Sequence, residues 1–215
     1  MNNLQKRFLT SLFILPLSIF FIFKGNYFFL FFLALVFCAG MYEIFSVFKK
    51  RESKLFLSFV LILSLSSVYF LRFEDEISVF LLYFVIVISI SSDIGGYVFG
   101  KIFKWKKLTK ISPNKTISGV FGSYILSIIF GFIFNYILFL QTNYTIGALT
   151  ILPEILLIMI FSTVAQIGDL VISYVKRLEK IKDTGIILPG HGGIFDRLDG
   201  LMFVAVLAFI LFYFN

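Results

Sequence analysis

The sequence predicts an all-α, polytopic integral membrane protein with about seven transmembrane helices, its N-terminus in the cytoplasm and its C-terminus outside. Three observations carry this prediction. Of 215 residues 60% are hydrophobic and 20% aromatic, and 14% are charged, against roughly a quarter charged in a soluble domain. Apolar stretches recur along the whole chain at lengths of about 20 residues, and in hydrocarbon such a stretch must be helical because nothing else satisfies its backbone N–H and C=O groups. Third, the basic residues fall in alternate loops.

Taken in order, the expected spans are 8–24, 27–47, 55–72, 77–99, 117–140, 148–173 and 200–214. They form one membrane domain over 1–215, in which 1–90 are plain hydrophobic helices and 91–215 carry the chemistry-bearing residues. Lys6 and Arg7, then Lys49, Lys50, Arg51 and Lys54, then the six lysines from Lys101 to Lys115, then the run from Lys176 to Arg197 together hold 17 of the 19 basic residues. An excess of Lys and Arg marks cytoplasmic loops, which sets the N-terminus and the loops 101–116 and 176–199 inside and Asn215 outside. The formal charge of +7 is therefore a topology signal, and no nucleic-acid partner is expected. Cys38 is the single cysteine, so no disulfide can form within the chain. Glu43, near the end of the second span, reads as an interfacial residue, with an ion pair as the alternative.

Polar content rises at the end of the fourth span, where Asp93 stands among Ser91, Ser92, Gly95 and Gly96. An ionisable residue at that depth is a functional candidate because burying it unpaired is expensive; the plain alternative is a helix end in the headgroup zone. The run GGYVFGK resembles a phosphate-binding loop, but Ile102 stands where a hydroxyl is needed and a membrane helix precedes it in place of a strand. The lysine-rich loop then ends in Ser112, Pro113, Asn114, Lys115 and Thr116. Ser112 is the expected N-cap and Pro113 the first helical residue, so the free N–H groups of the fifth span would meet an anion beside Lys115 and Thr116.

The sixth span ends in AQIGDLVISYVKR, and at helical spacing Asp169, Ser173 and Lys176 share a face. A carboxylate there needs a cation, either Lys176 or a metal ion. Asp196 and Asp199 stand three apart at the start of the last span, facing one way and repelling unless something positive lies between them, while Arg197 points elsewhere. With one His and one Cys in the chain, oxygen ligands remain, which suits a hard ion such as Mg²⁺ shared with phosphate. His191 reads either as a base or as a structural hydrogen bonder.

The stretch SYVKRLEKIKDTGIILPGHGGIFDRLD, from Ser173 to Asp199, concentrates the spacing: Lys176–Arg177, Lys182–Asp183, Pro189, His191–Gly192–Gly193, then Asp196, Arg197 and Asp199. It resembles the motif of the phosphatidate cytidylyltransferases, the CDP-diacylglycerol synthases, at each fixed position, and S-P-x-K-T followed by Gly119 resembles the same family. The resemblance covers about 91–215. It implies transfer of CMP from CTP to phosphatidate with release of pyrophosphate, at a multi-pass site in the cell membrane, the inner membrane of a bacterium. It also implies Mg²⁺, leaving open a second, monovalent ion and a homodimer. Carried over by position, it assigns Asp169, Asp196 and Asp199 to the metal. Lys176, Arg177 and His191 join them as catalytic residues, and Ser112, Lys115, Thr116, Ser173, Lys182, Asp183, Arg197 and Asp93 surround substrate phosphates. Ser118 and Ile172 stand where the family commonly has Glu. A CTP-dependent lipid-alcohol kinase and a catalytically silent relative are the competing readings.

Overall fold

The computed structural model describes residues 16–73, 76–109, 111–146, 151–185, 187 and 192–213. Among them are helical residues 16–24 and six longer helices: α1 (Asn26–Val47), α2 (Arg51–Phe73), α3 (Glu76–Phe103), α4 (Ile117–Thr142), α5 (Ile151–Leu178) and α6 (Phe195–Tyr213). The described helices follow the order of the expected spans, residues 8–15 of the first lying outside the described residues, and α1 to α5 are long and apolar enough to cross a membrane. α6 begins with Asp196, Arg197 and Asp199, and its apolar run follows them. Large hydrophobic side chains remain exposed on every helix, Tyr27, Phe59, Ile94, Phe121, Leu152 and Ile210 among them. For a chain in water that surface would be an aggregation hazard; in a bilayer it is the lipid-facing surface.

Two interior clusters set the arrangement. Phe84, Val85 and Ile88 of α3 meet Ile158, Phe161 and Ala165 of α5 and Val204, Ala205 and Ala208 of α6. Ile44 and Phe48 at the end of α1 meet Leu57 and Leu61 of α2, Ile172 and Val175 of α5, and Phe195 and Met202 of α6. α5 and α6 belong to both, which brings the two charged segments of the chain together at one end of the bundle.

The closest packing is between α3 and α4. A Cβ on Gly95 would collide with the backbone oxygen of Gly122, and one on Gly119 would stand 2.8 Å from the carbonyl oxygen of Gly96. Small residues permit this approach, and van der Waals contact between backbones then holds the pair where lipid offers no hydrophobic drive. The GGYVFGK run is thus a helix-packing surface inside α3. Ser123 of α4 adds a hydrogen bond of 2.7 Å to the carbonyl of Ser92.

At the opposite end of the bundle, the buried Asn135 of α4 donates to the carbonyl of Ile146 at 3.0 Å and to the Glu154 carboxylate at 2.7 Å, and accepts from the N–H of Ile146 at 3.1 Å. At the charged end, Glu179 after α5 accepts from the N–H groups of Lys49 at 3.1 Å and Lys50 at 3.0 Å, clamping the α1–α2 turn. Slight burial opposes the Glu179 charge, but donation from Ser53 and these two N–H groups overrides it, so its carboxyl sits below the usual glutamate range.

Candidate active site

A cavity of about 430 Å³ opens at the charged end, among α3, the 104–116 loop, α4, α5 and the start of α6. Into it face Asp93, Ser112, Lys115, Thr116, Asp169, Lys176, Asp183, Asp196, Arg197 and Asp199, together with Ser92, Asn114, Ser123 and Gln166. Most of the residues predicted from the sequence are thus brought to one place. Lys182 and Arg177 are exposed outside the lining; Arg177 donates to the carbonyls of Ile181 at 2.8 Å and Ile111 at 3.4 Å, tying the two loops together. Ser173 is reached only through Asp169, to which its hydroxyl donates at 3.3 Å. His191 and Pro189 lie outside the described residues.

Several local expectations are corrected. The N-cap of α4 is Thr116, with φ −123° and ψ 158°, whose hydroxyl accepts from the N–H of Gly119 at 3.1 Å. Ser112 instead precedes a turn in which its carbonyl accepts from the N–H of Lys115 at 3.1 Å. The reason is backbone pairing: Leu108 N–H to the Lys115 carbonyl at 2.8 Å and Ile117 N–H to the Lys106 carbonyl at 3.0 Å flank an antiparallel bridge between Lys107 and Thr116 and hold Thr116 extended. A helix cannot begin until that pairing ends. Lys115 therefore stands one residue before the cap and not within the first turn.

Its ammonium ion reaches Asp169 at 2.6 Å and the carbonyl of Gln166 at 3.2 Å. The cation facing Asp169 is thus Lys115, from across the cavity, in place of the helical neighbour Lys176. Lys176 turns instead to Asp196 at 2.6 Å, in a pair whose side chains are only 10% and 9% exposed. The other Asp196 oxygen, Oδ2, accepts from the Thr184 N–H at 2.7 Å, the Gly193 N–H at 3.0 Å and the Thr184 hydroxyl at 3.0 Å. Both its oxygens are thereby occupied. Arg197, expected on another face, lines the same cavity as Asp196 and Asp199 because the first turn of α6 sits over the cavity mouth.

The carboxylates that act on one another across the cavity are Asp93, Asp169 and Asp199. Asp93 is open to the cavity, whereas Asp199 is buried and accepts the N–H of Gly200 at 2.9 Å. Like charges so placed call for a positive partner, supplied in part by Lys115 and Arg197. Among the described residues no three His, Cys, Asp or Glu side chains close tightly enough to hold an ion by themselves. Mg²⁺ typically takes one or two carboxylates, waters and substrate phosphates. Asp169 and Asp199, hard oxygen donors beside cations that suit phosphate, fit that mode.

Two residues escaped the sequence reading. Glu43 is fully buried, contrary to the interfacial expectation, and accepts from the N–H of Ile194 at 2.7 Å and of Phe195 at 3.3 Å. Thr184 is equally buried and donates toward Glu43 at 3.2 Å. An acidic residue inside an apolar span was the available signal for Glu43; for Thr184 there was none. Ser118 is buried and shares a hydrogen bond of 3.0 Å with Thr116, and Ile172 packs in the second apolar cluster, so neither lines the cavity.

Fold and cavity define a helical, multi-pass membrane protein with a cavity lined by cations and carboxylates at one end of its bundle. The family model described as "Cytidylyltransferase family" matches residues 55–215. The chain belongs to that family. Over 121 residues it is 43% identical to the phosphatidate cytidylyltransferase of Staphylococcus epidermidis and 44% identical to that of Staphylococcus aureus, and over 116 residues 42% identical to that of Bacillus subtilis. These matches cover 56%, 56% and 53% of this chain but only 44%, 44% and 40% of the respective relatives.

Proposed function

We propose that this chain transfers the cytidylyl group of CTP to phosphatidate, giving CDP-diacylglycerol and pyrophosphate. The observation that carries the reading is the cavity in which Lys115, Lys176 and Arg197 meet Asp93, Asp169 and Asp199, in a chain of the cytidylyltransferase family. A phosphatidate oxygen forms a bond to the α-phosphorus of CTP as the bond from that phosphorus to the β-bridging oxygen breaks. The nucleophile is already ionised, so the demand on the protein is to hold two polyanions in line and screen their charge. Lys115 and Arg197 stand at the cavity wall to take phosphate oxygens, and the buried Lys176, fixed by Asp196, presents a constant positive charge. Ser112, Asn114 and Thr116 add donors on the α4 side. Mg²⁺ held by Asp169 and Asp199 would neutralise triphosphate charge that the protein cations leave.

Purified protein in mixed micelles, given CTP labelled in the α-phosphate with phosphatidate, or in parallel with a long-chain lipid alcohol, tests the reading. Label appearing in lipid with equimolar pyrophosphate supports it. CDP release with lipid phosphorylation would make the chain a lipid kinase, and no turnover across a Mg²⁺ titration would make it a silent relative. The proposed cytoplasmic location of the cavity follows from the lysine-rich loops around it; a reporter fused after Asn215 that reads cytoplasmic would refute the topology.

A further inference from the structure

The buried carboxylate of Glu43 is unused by the reaction above, and it lies in α1, before the residues 55–215 that carry the family match. A fully buried charge inside an apolar span persists only where its environment compensates it. Here the compensation comes from the opposite end of the chain. Oε1 and Oε2 accept the N–H of Ile194 at 2.7 and 2.9 Å, and Oε2 accepts those of Phe195 at 3.3 Å and the Thr184 hydroxyl at 3.2 Å. These N–H groups are the unsatisfied start of α6, where the helix dipole favours an anion. A negative charge on α1 therefore caps a helix more than 150 residues away in sequence. Space is tight as well: a Cβ on Gly185 would stand 2.9 Å from Oε1, and one on Gly193 would crowd Oε2 and the Thr184 hydroxyl.

Glu43 and Asp196 share the Thr184 hydroxyl, and the 193–195 N–H groups that each holds are adjacent along the backbone. Gly193, directly before Ile194, gives Asp196 its N–H at 3.0 Å, and Thr184 gives its N–H at 2.7 Å with its hydroxyl 3.0 Å away. One hydroxyl, with one proton, stands between the two carboxylates, and Asp196 in turn fixes Lys176 at 2.6 Å. We propose that Glu43 is a positioning residue for the cavity: through Thr184 and the 193–195 backbone it sets Asp196, and through Asp196 it sets where the Lys176 ammonium points. The segment before residue 55 thereby belongs to the site without lining it. The consequence for turnover rests on the cytidylyl-transfer reading; the geometric chain does not.

Two readouts on the full chain in detergent separate these. The first is the rate at which an amine-acylating reagent labels Lys176, measured by mass spectrometry against Lys107 on the other loop. The second is the kcat-against-KM split for CTP, per folded molecule. Glu43→Gln, which keeps shape but removes charge and one acceptor, is expected to raise Lys176 labelling at least about five-fold with Lys107 unchanged. It should lower kcat about ten-fold or more with KM for CTP within about two-fold. Thr184→Val, which removes the shared hydroxyl and leaves the Glu43 carboxylate on the α6 N–H groups, should move both readouts in the same direction, and Thr184→Ser should restore Lys176 protection. If the parent shows no cytidylyl transfer, the functional reading fails while labelling still reports the positioning. Folded Glu43→Gln with parental Lys176 labelling overturns the inference. Should Glu43→Gln not fold, Thr184→Val with unchanged labelling overturns it, and raised labelling reversed by Thr184→Ser upholds it.

Discussion

Replacing Lys115 by Met separates two tasks that its geometry leaves intertwined, neutralising Asp169 and binding phosphate. The pair is short, at 2.6 Å, but its side chains are 22% and 29% exposed. An ion pair so open to water contributes about 0–1 kcal/mol to stability, and Met keeps most of the apolar stem, so thermal unfolding should change little. A lost hydrogen bond to a charged phosphate is worth about 1.5–3 kcal/mol, or roughly a 10- to 150-fold fall in kcat/KM for CTP. The assay is initial-rate transfer at limiting CTP in mixed micelles, alongside a melting curve of the same preparation. Asp169→Asn added to Lys115→Met sharpens the reading. If Lys115 serves only to quiet Asp169, the double variant should be no slower than Asp169→Asn alone; if Lys115 holds phosphate, it should be slower than Asp169→Asn by a further factor of the same size. Full rate of Lys115→Met at limiting CTP, or a double variant as fast as Asp169→Asn alone, refutes the phosphate role.

The carboxylates should divide by what holds them. Asp169→Asn and Asp199→Asn are each expected to cost about 3–4 kcal/mol of transition-state stabilisation, two to three powers of ten in rate, with the double variant far less damaged than the sum, read by rate across a Mg²⁺ titration. Asp196→Asn strands the buried Lys176 and should cost roughly 3–5 kcal/mol of stability, visible in melting before any rate is measured. Gly95→Ala must push α3 off the α4 backbone, an overpacking cost of about 1–3 kcal/mol, whereas Gly96→Ala meets the Ser123 hydroxyl at 3.0 Å and backbone only at an ordinary 3.8 Å, so its loss should be the smaller of the two; equal losses would refute the backbone-contact argument. Glu179 is more acidic folded than unfolded, so its contribution is present above the unfolded glutamate pKa, about 4.3, and is lost as pH falls below it. Tryptic cleavage at Lys49, Lys50 and Arg51 should quicken at neutral pH in Glu179→Gln, and hydrogen exchange at the Lys49 and Lys50 N–H groups of the parent should lose protection as the pH is lowered below about 4.

Membrane residence, the helix order, and the pooling of charge in two loops were legible along the chain, because hydropathy over about 20 residues and loop charge act locally. The same holds for Asp169 with Ser173, neighbours one turn apart on α5. Cap placement failed at Ser112, since the pairing of residues 106–108 with 115–117 overrode a local preference. Partner choice could not be read at all. Lys176 lies in sequence near Asp169 yet binds Asp196, and Asp169 takes Lys115 from the loop before α4, because contact between charges depends on how that loop, α5 and α6 meet at the cavity. Glu43 makes the point most sharply. Its sequence shows only a carboxylate in an apolar span; that it finds the open N–H groups of α6, and so can lie fully buried, is decided by α1 packing against the start of that helix, a contact that no local spacing encodes.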